Sequence, residues 1–137
     1  MKKSVIILIA IIYVASIAVV GFLGLQASSY NDVIYAESLE ILNEYSTNRN
    51  TGEKYIVFMP DDKTDKTIQL ECRILPDEAT DKKIIYKLAP DCKTATIDEN
   101  GLLTFTTETT NPISVRVYIY ANQNRTISQE ILVYYVP

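Results

Sequence analysis

The chain has 137 residues with two Cys, no His and no Trp, and 13 Lys and Arg against 17 Asp and Glu give a formal charge of −4. This length corresponds to one domain of ordinary size. The lack of His removes the commonest general base and the commonest zinc ligand, which excludes Ser-His-Asp and Cys-His nucleophile systems. The acidic balance argues against a nucleic-acid-binding protein, which needs a basic patch.

The N-terminal segment is apolar over the length of a membrane span. After two lysines, the next charged residue is Asp32, and the apolar run Val5–Leu25 has 21 residues. As a helix this run is about 31 Å long, which matches a hydrocarbon core of about 30 Å. The sequence therefore predicts a transmembrane helix over residues 4–26, in contact with the lipid bilayer.

A cleaved signal peptide is the alternative interpretation of this segment. Signal peptides have an apolar region of about 7–15 residues followed by a small-residue cleavage site. The run here is longer, and the one passable site is Leu25-Gln26-Ala27, before Ser28. No Cys follows the run, which excludes a lipoprotein anchor. We expect an uncleaved anchor.

The charges that flank the apolar run predict its orientation. Lys2 and Lys3 precede it, whereas the first charge beyond it is Asp32. The positive-inside rule then places the N-terminus in the cytoplasm and the remainder outside the cell membrane. The expected organisation is a cytoplasmic stub over residues 1–3, a single-pass helix over 4–26, a short tether over 27–32 and an extracytoplasmic domain over 33–137.

Beyond the tether, apolar and polar residues alternate, as they do in strands with one buried face. The clearest cases are Thr67–Ile74 and Ile113–Ala121. The other predicted strands are Val33–Leu42, Tyr55–Met59, Ile84–Leu88, Thr94–Ile97, Leu102–Thr106 and Glu130–Tyr135. The end of the first of these, Glu37–Leu42, also fits one helical turn.

The strand lengths and turns predict an all-β fold. Asp98-Glu99-Asn100-Gly101 separates two predicted strands, and Asn-Gly favours a hairpin because both residues accept positive φ. Seven or eight short strands in about 105 residues predict an immunoglobulin-like antiparallel β-sandwich. A small barrel with a different strand order fits the same pattern less well.

Several motifs of the chain resemble one family. Pro76-Asp77-Glu78-Ala79-Thr80 is followed by Tyr86 and then by Ala95-Thr96-Ile97-Asp98-Glu99-Asn100-Gly101-Leu102-Leu103-Thr104. This order resembles the bacterial immunoglobulin-like domain of group 2, over roughly residues 66–137. The most specific part of the resemblance consists of Ala95, Thr96, Ile97, Asp98, Asn100, Gly101 and Leu102.

The chain also departs from the pattern of that family. Tyr86 stands where the family usually has Trp, and Thr109–Ile113 replaces a Gly-rich entry to the next strand. The resemblance implies a non-enzymatic module of a bacterial surface or envelope protein. It implies no ligand site, because the family has no fixed one.

Cys72 and Cys92 are candidates for a disulfide, since the domain is expected outside the reducing compartment. Such a bridge would close a loop of about 20 residues and contribute on the order of 3 kcal/mol. The alternative is one buried cysteine that acts as a small hydrophobe and one half-exposed thiol. The two residues do not form a CxxC redox motif.

The acidic clusters do not have the ligand order of a calcium loop. Asp61, Asp62 and Asp65 form one cluster, and residues 98–100 form another. Calcium requires six to eight oxygens in a fixed order, which neither segment offers, so both are expected to be solvated turns. We expect no metal, no cofactor and no catalytic site.

A group of exposed side chains offers a candidate partner face. Arg116, Tyr118 and Tyr120 alternate with apolar residues on one predicted strand, and Tyr134 on another is expected on the same side. Exposed aromatic residues beside Arg are typical of protein interfaces and also stack on sugar rings. Stabilisation of the sheet by cross-strand tyrosines is the favoured alternative.

The expected function is therefore binding or structural support at a bacterial cell envelope, without catalysis. Its partner would be an envelope protein or a carbohydrate, recognised through the candidate face or through an exposed edge strand. The alternative is an accessory subunit of a membrane protein complex, in which the domain is an external brace. Nucleic acid is not expected as a partner.

Overall fold

The computed structural model describes residues 3–27, 32–62, 64–108 and 110–137. It contains an N-terminal helix, α1 (Lys3–Ala27), and a separate sheet-rich unit, Val33–Pro137. The mixture of one apolar helix with many short strands confirms the predicted combination of an N-terminal helix and an all-β domain.

Over residues 3–21, whose side chains the structure describes, helix α1 has no continuous polar face. Its segment Lys3–Gly21 has a mean hydropathy of 2.8 and is long and apolar enough to cross a membrane, by length and composition. None of this segment is buried in the structure. The hydroxyl of Ser16 donates a hydrogen bond of 2.8 Å to the carbonyl of Ile12, so this polar group is satisfied within the helix.

The described part of the sheet-rich unit has ten strands. They are β1 (Ser38–Ile41), β2 (Ser46–Thr47), β3 (Lys54–Phe58), β4 (Thr67–Gln69), β5 (Cys72–Leu75), β6 (Ile84–Leu88), β7 (Ala95–Ile97), β8 (Leu102–Phe105), β9 (Ile113–Ala121) and β10 (Ser128–Tyr135). Each of the eight predicted segments contains a strand, and Glu37–Leu42 contributes β1 rather than a helical turn.

The expected count of seven or eight strands was too low, for two reasons. The short strand β2 lies in a segment that reads as a turn. The predicted strand Thr67–Ile74 is divided because its partner changes in the middle. The N–H of Leu70 still bonds to the carbonyl of Gly101, next to β8, whereas the N–H of Glu71 bonds to Oδ1 of Asn43, near β1. The chain thereby passes from one sheet to another.

The strands form three sheets. Their orders are β1-β5, β2-β3-β10-β9-β6 and β4-β8-β7. Among the described strands every pair is antiparallel except β3 with β10, which is parallel. The expectation of a purely antiparallel arrangement was therefore wrong at this pair, where β3 runs in the same direction as the C-terminal strand β10.

The core lies between the inner faces of the sheets, where alternate residues of β9 and β10 are fully buried. Val117, Ile119, Ile131 and Val133 each have 0% exposure. Three aromatic rings close one end of this core, and the rings of Phe105 and Tyr135 stack at 4.7 Å between centroids. Phe58 packs against both of them.

Candidate functional site

The candidate face lies on the outer side of the five-stranded sheet. On β9 the buried residues alternate with Arg116, Tyr118 and Tyr120, as the sequence pattern predicts. The register with β10 places Tyr118 opposite Glu130 and Tyr120 opposite Ser128. Three of the four predicted side chains therefore lie in one row along a central strand.

Arg116 is the centre of a group of three charges. Its Nη2 lies 3.0 Å from Oε1 of Glu53, and its Nη1 forms a second ion pair with Oε1 of Glu130. Oε2 of Glu53 accepts a hydrogen bond of 3.1 Å from the hydroxyl of Thr51. Since the charged side chains are more than a third exposed, each pair contributes little to stability and chiefly fixes the guanidinium in place.

These residues line a shallow open groove of about 490 Å³. Its walls come from the β2–β3 turn, β9 and β10, and include Thr51, Glu53, Arg116, Tyr118, Tyr120 and Glu130. Within the described residues, the hydroxyls of the two tyrosines make no hydrogen bond and are available to a ligand. The groove offers aromatic faces, hydroxyls and carboxylates, which suit a polar partner.

Tyr134 does not line this groove. It lies on the same side of the sheet, and its ring packs edge-on against Tyr55 of β3, with centroids 5.9 Å apart and an interplanar angle of 87°. This cross-strand pair has the geometry by which tyrosines stabilise a sheet. The acidic partners of Arg116 were not predicted, because Glu53 lies in a predicted turn and pairing depends on the strand register.

Both cysteines are free in the structure. Burial raises the pKa of the Cys72 thiol, and the nearby Tyr86 hydroxyl partly offsets this effect. The Sγ of Cys92 lies 3.9 Å from Oγ1 of Thr94 and 3.9 Å from the carbonyl oxygen of Ala95. Each thiol thus has its own neighbours, and the bridge between them stays a prediction from the sequence.

The family motif forms the β7–β8 hairpin. Gly101 has a φ of 84°, and Oδ1 of Asp98 accepts hydrogen bonds of 2.9 Å from the N–H of Asn100 and 2.8 Å from that of Leu102. Ala95, Thr96 and Ile97 form β7, and Leu102 begins β8. The side chain of Tyr86 packs beside Gly101. The geometry of the motif supports a turn and a core contact.

The acidic clusters bond to their own loops. Oδ1 of Asp62 accepts a hydrogen bond of 3.0 Å from the N–H of Thr64, and Oδ1 of Asp65 accepts one of 3.1 Å from that of Thr67. The bonds from Thr64 hold the pKa of Asp62 below its usual value. Within the described residues, no three Cys, Asp or Glu side chains converge in a group that could hold a metal ion.

Neither a scan against protein-family models nor a search of curated proteins found a match to this chain. The resemblance to the bacterial immunoglobulin-like domain therefore depends on the residues of this chain alone. It stays a prediction, and the features that bear on function are the helix and the surfaces of the sheet-rich unit.

Proposed function

We propose that the chain is a membrane-anchored, extracytoplasmic module of a bacterial cell envelope, which binds a partner or gives structural support without catalysis. The observation that carries the proposal is helix α1. Its described side chains are exposed all round and, from Val5 to Gly21, apolar apart from Tyr13 and Ser16, and an apolar surface of this kind is stable in lipid rather than in water. The flanking charges favour a cytoplasmic N-terminus.

The strand topology supports an immunoglobulin-like domain in this proposal. The sheet β2-β3-β10-β9-β6 and the sheets formed by β1-β5 and β4-β8-β7 supply two layers of opposing apolar faces. The segment β4–β5 serves both smaller sheets, so that β1, β5, β4, β8 and β7 together act as one layer. Two packed layers around one core are the basis of a β-sandwich.

The outer groove supports a binding role. Arg116 is oriented by its two carboxylates, and the tyrosines beside it have unoccupied hydroxyls. A partner such as an envelope carbohydrate would stack on Tyr118 and Tyr120 and form hydrogen bonds with the flanking carboxylates.

The test is membrane partition combined with protease access. We expect the full-length protein, at its full mass, to remain in the membrane pellet after an alkaline wash. Protease added outside intact cells or spheroplasts should digest the sheet-rich unit. A protein shortened by about 27 residues in the soluble fraction would overturn the anchor, since signal peptidase would have removed it. Protection of the domain until the membrane is lysed would overturn the orientation.

An accessory subunit is the second candidate, favoured by one feature of the helix. Tyr13, Ser16, Ile17, Val20 and Gly21 line a shallow groove of about 420 Å³ on α1. Small and polar residues on one side of a membrane helix allow another helix to approach closely. A partner that co-purifies in mild detergent and is lost on Gly21→Leu would support this role. Ala18→Leu, which adds bulk at a residue that does not line this groove, serves as the matched control.

A further inference from the structure

The edge of the five-stranded sheet at β6 has a free row of backbone groups. The carbonyl of Lys83 accepts a hydrogen bond from the N–H of Asn122, and the N–H of Ala89 donates one to the carbonyl of Arg116. These two bonds show which backbone groups of β6 are paired. The N–H and C=O groups of its odd-numbered residues point toward β9. The N–H and C=O groups of Ile84, Tyr86 and Leu88 therefore point to the opposite side.

No other strand is hydrogen-bonded on that side in the described part of the chain. β6 is the last strand in its sheet, and its pairing is with β9 alone. Among the described residues, the five of β6 leave three N–H donors and three C=O acceptors unpaired at this edge. A row of this kind is a template for a further strand.

The charge of this edge is opposite to that of the domain. Residues 32–137 contain 11 basic and 17 acidic residues, a net charge of −6. In contrast, residues 81–93 carry four lysines, Lys82, Lys83, Lys87 and Lys93, against two aspartates. All four lysines are exposed, and none forms an ion pair within the described residues.

The aspartate at the start of this segment is already engaged. Oδ2 of Asp81 accepts a hydrogen bond of 2.8 Å from Nδ2 of Asn122, and its Oδ1 accepts one of 2.9 Å from the N–H of Lys83. These bonds, first that from Asn122, hold the pKa of Asp81 below its usual value. The nearby charge of Lys83 acts in the same direction, so the carboxylate stays ionised within its own loop. Lys82, Lys87 and Lys93 form no ion pair within the described residues and remain available to a partner.

We propose that the open edge of β6 binds an acidic polypeptide segment, which adds to the sheet as an extended sixth strand. The free backbone groups can pair with the backbone of another polypeptide. The lysines favour a segment that carries acidic side chains at alternate positions. A second copy of β6 is disfavoured, because the seam would then join two basic edges. This inference deepens the proposed binding function. It rests on that function because the domain meets envelope proteins only if it lies outside the cytoplasm.

The first test uses a defined peptide and the full-length protein in neutral detergent micelles. The probe is a fluorescein-labelled peptide of alternating Glu and Val, and its matched control carries N-methyl groups on all of its backbone amides. We expect the N-methylated peptide to bind at least about tenfold more weakly, since it cannot complete the backbone ladder. Equal affinity for the two peptides, or no binding of the probe at millimolar concentration, would overturn the proposal.

Amide hydrogen exchange locates the bound strand. Bound peptide should slow the exchange of Ile84, Tyr86 and Leu88 by about tenfold or more, whereas Ile85 and Lys87 are already protected by β9. Exchange that slows elsewhere, with no change at these three amides, would overturn the site. Polyphosphate is the comparison anion. If it competes fully and the peptide protects none of the three amides, the edge is an electrostatic patch only and the proposal fails.

A charge reversal isolates the part played by the lysines. We expect Lys87→Glu to weaken probe binding by roughly three- to tenfold at low salt. Arg49→Glu, at the exposed turn near the opposite edge of the same sheet, is the matched control and should have no such effect. Equal losses in the two variants would overturn the role of the β6 edge. The micelle assay is independent of the anchor and its orientation, so failure here is distinguishable from failure of the proposed function.

Discussion

At the scale of single residues, Gly101 links the β7–β8 hairpin to the core. Its φ of 84° is costly for other residues, and a Cβ placed there would lie 2.7 Å from Cζ of Tyr86 and 2.8 Å from the carbonyl oxygen of Leu70. We expect Gly101→Ala to lower the free energy of unfolding by about 2 kcal/mol or more. Urea unfolding followed by tyrosine fluorescence measures this loss.

Gly52 provides the matched control for this prediction. It has a φ of 73°, but a Cβ there would meet no atom within 4 Å. Gly52→Ala should therefore show only the conformational cost of about 1–2 kcal/mol. If the two variants were equally stable, the close approach of Tyr86 and Leu70 to Gly101 would be contradicted.

The two thiols give a second prediction at this scale. We expect the intact protein to keep both thiols free when its mass is measured without reductant, because the structure gives each cysteine separate neighbours. The raised pKa of Cys72 reduces its thiolate fraction at pH 8, so iodoacetamide should modify it more slowly in the folded than in the unfolded chain. A mass lower by two hydrogens would instead establish the Cys72–Cys92 bridge.

The candidate face shows how far the sequence could be used to predict a site. Period-two alternation suffices to place Arg116, Tyr118 and Tyr120 on one side of a strand, and the structure has them there. The ion pairs with Glu53 and Glu130 could not be predicted, since they depend on the register of β10 and on the position of a turn distant in sequence.

At the scale of elements, alternation predicted where strands form but not how they pair. The pattern of Thr67–Ile74 is that of one continuous strand, because side chains alternate through it without a break. It is divided where its bonding partner changes from Gly101 to Asn43, and both of these residues are distant in sequence. Local periodicity holds no information about such bonds, and the same is true of the parallel pairing of β3 with β10.

The central position of β10 leads to a prediction for this element. It lies between β9 and β3, and Ile131 at its middle is fully buried. We expect Ile131→Ala to lower the free energy of unfolding by about 2–5 kcal/mol, through lost burial and the cavity that remains. The change is read from the urea midpoint of the full-length protein.

Val57 of β3 is the control for this core substitution. It lies in the neighbouring strand with 47% of its surface exposed. Val57→Ala should therefore cost less than about 1 kcal/mol. Comparable losses at the two positions would mean that β10 does not lie at the centre of the core.

At the scale of the whole molecule, the chain combines an apolar helix with an acidic, sheet-rich unit. The residues from Val5 to Leu25 include 14 Ile, Leu, Val or Phe. At about −0.3 to −0.6 kcal/mol each, they favour membrane insertion by roughly 4–8 kcal/mol. A single mid-helix lysine, which costs about 2.5–3.5 kcal/mol, should be tolerated, whereas two should cancel most of the insertion energy.

We therefore expect Ile12→Lys alone to remain in the alkaline-washed membrane pellet and Ile12→Lys with Val19→Lys to appear largely in the wash. The physical reason is the burial of two ammonium groups in hydrocarbon, far from either interface. Val57→Lys with Met59→Lys adds the same charge to exposed side chains of the sheet-rich unit and should leave retention unchanged. If this second pair released the protein instead, the attachment to the membrane would depend on the domain, and α1 would not be the anchor.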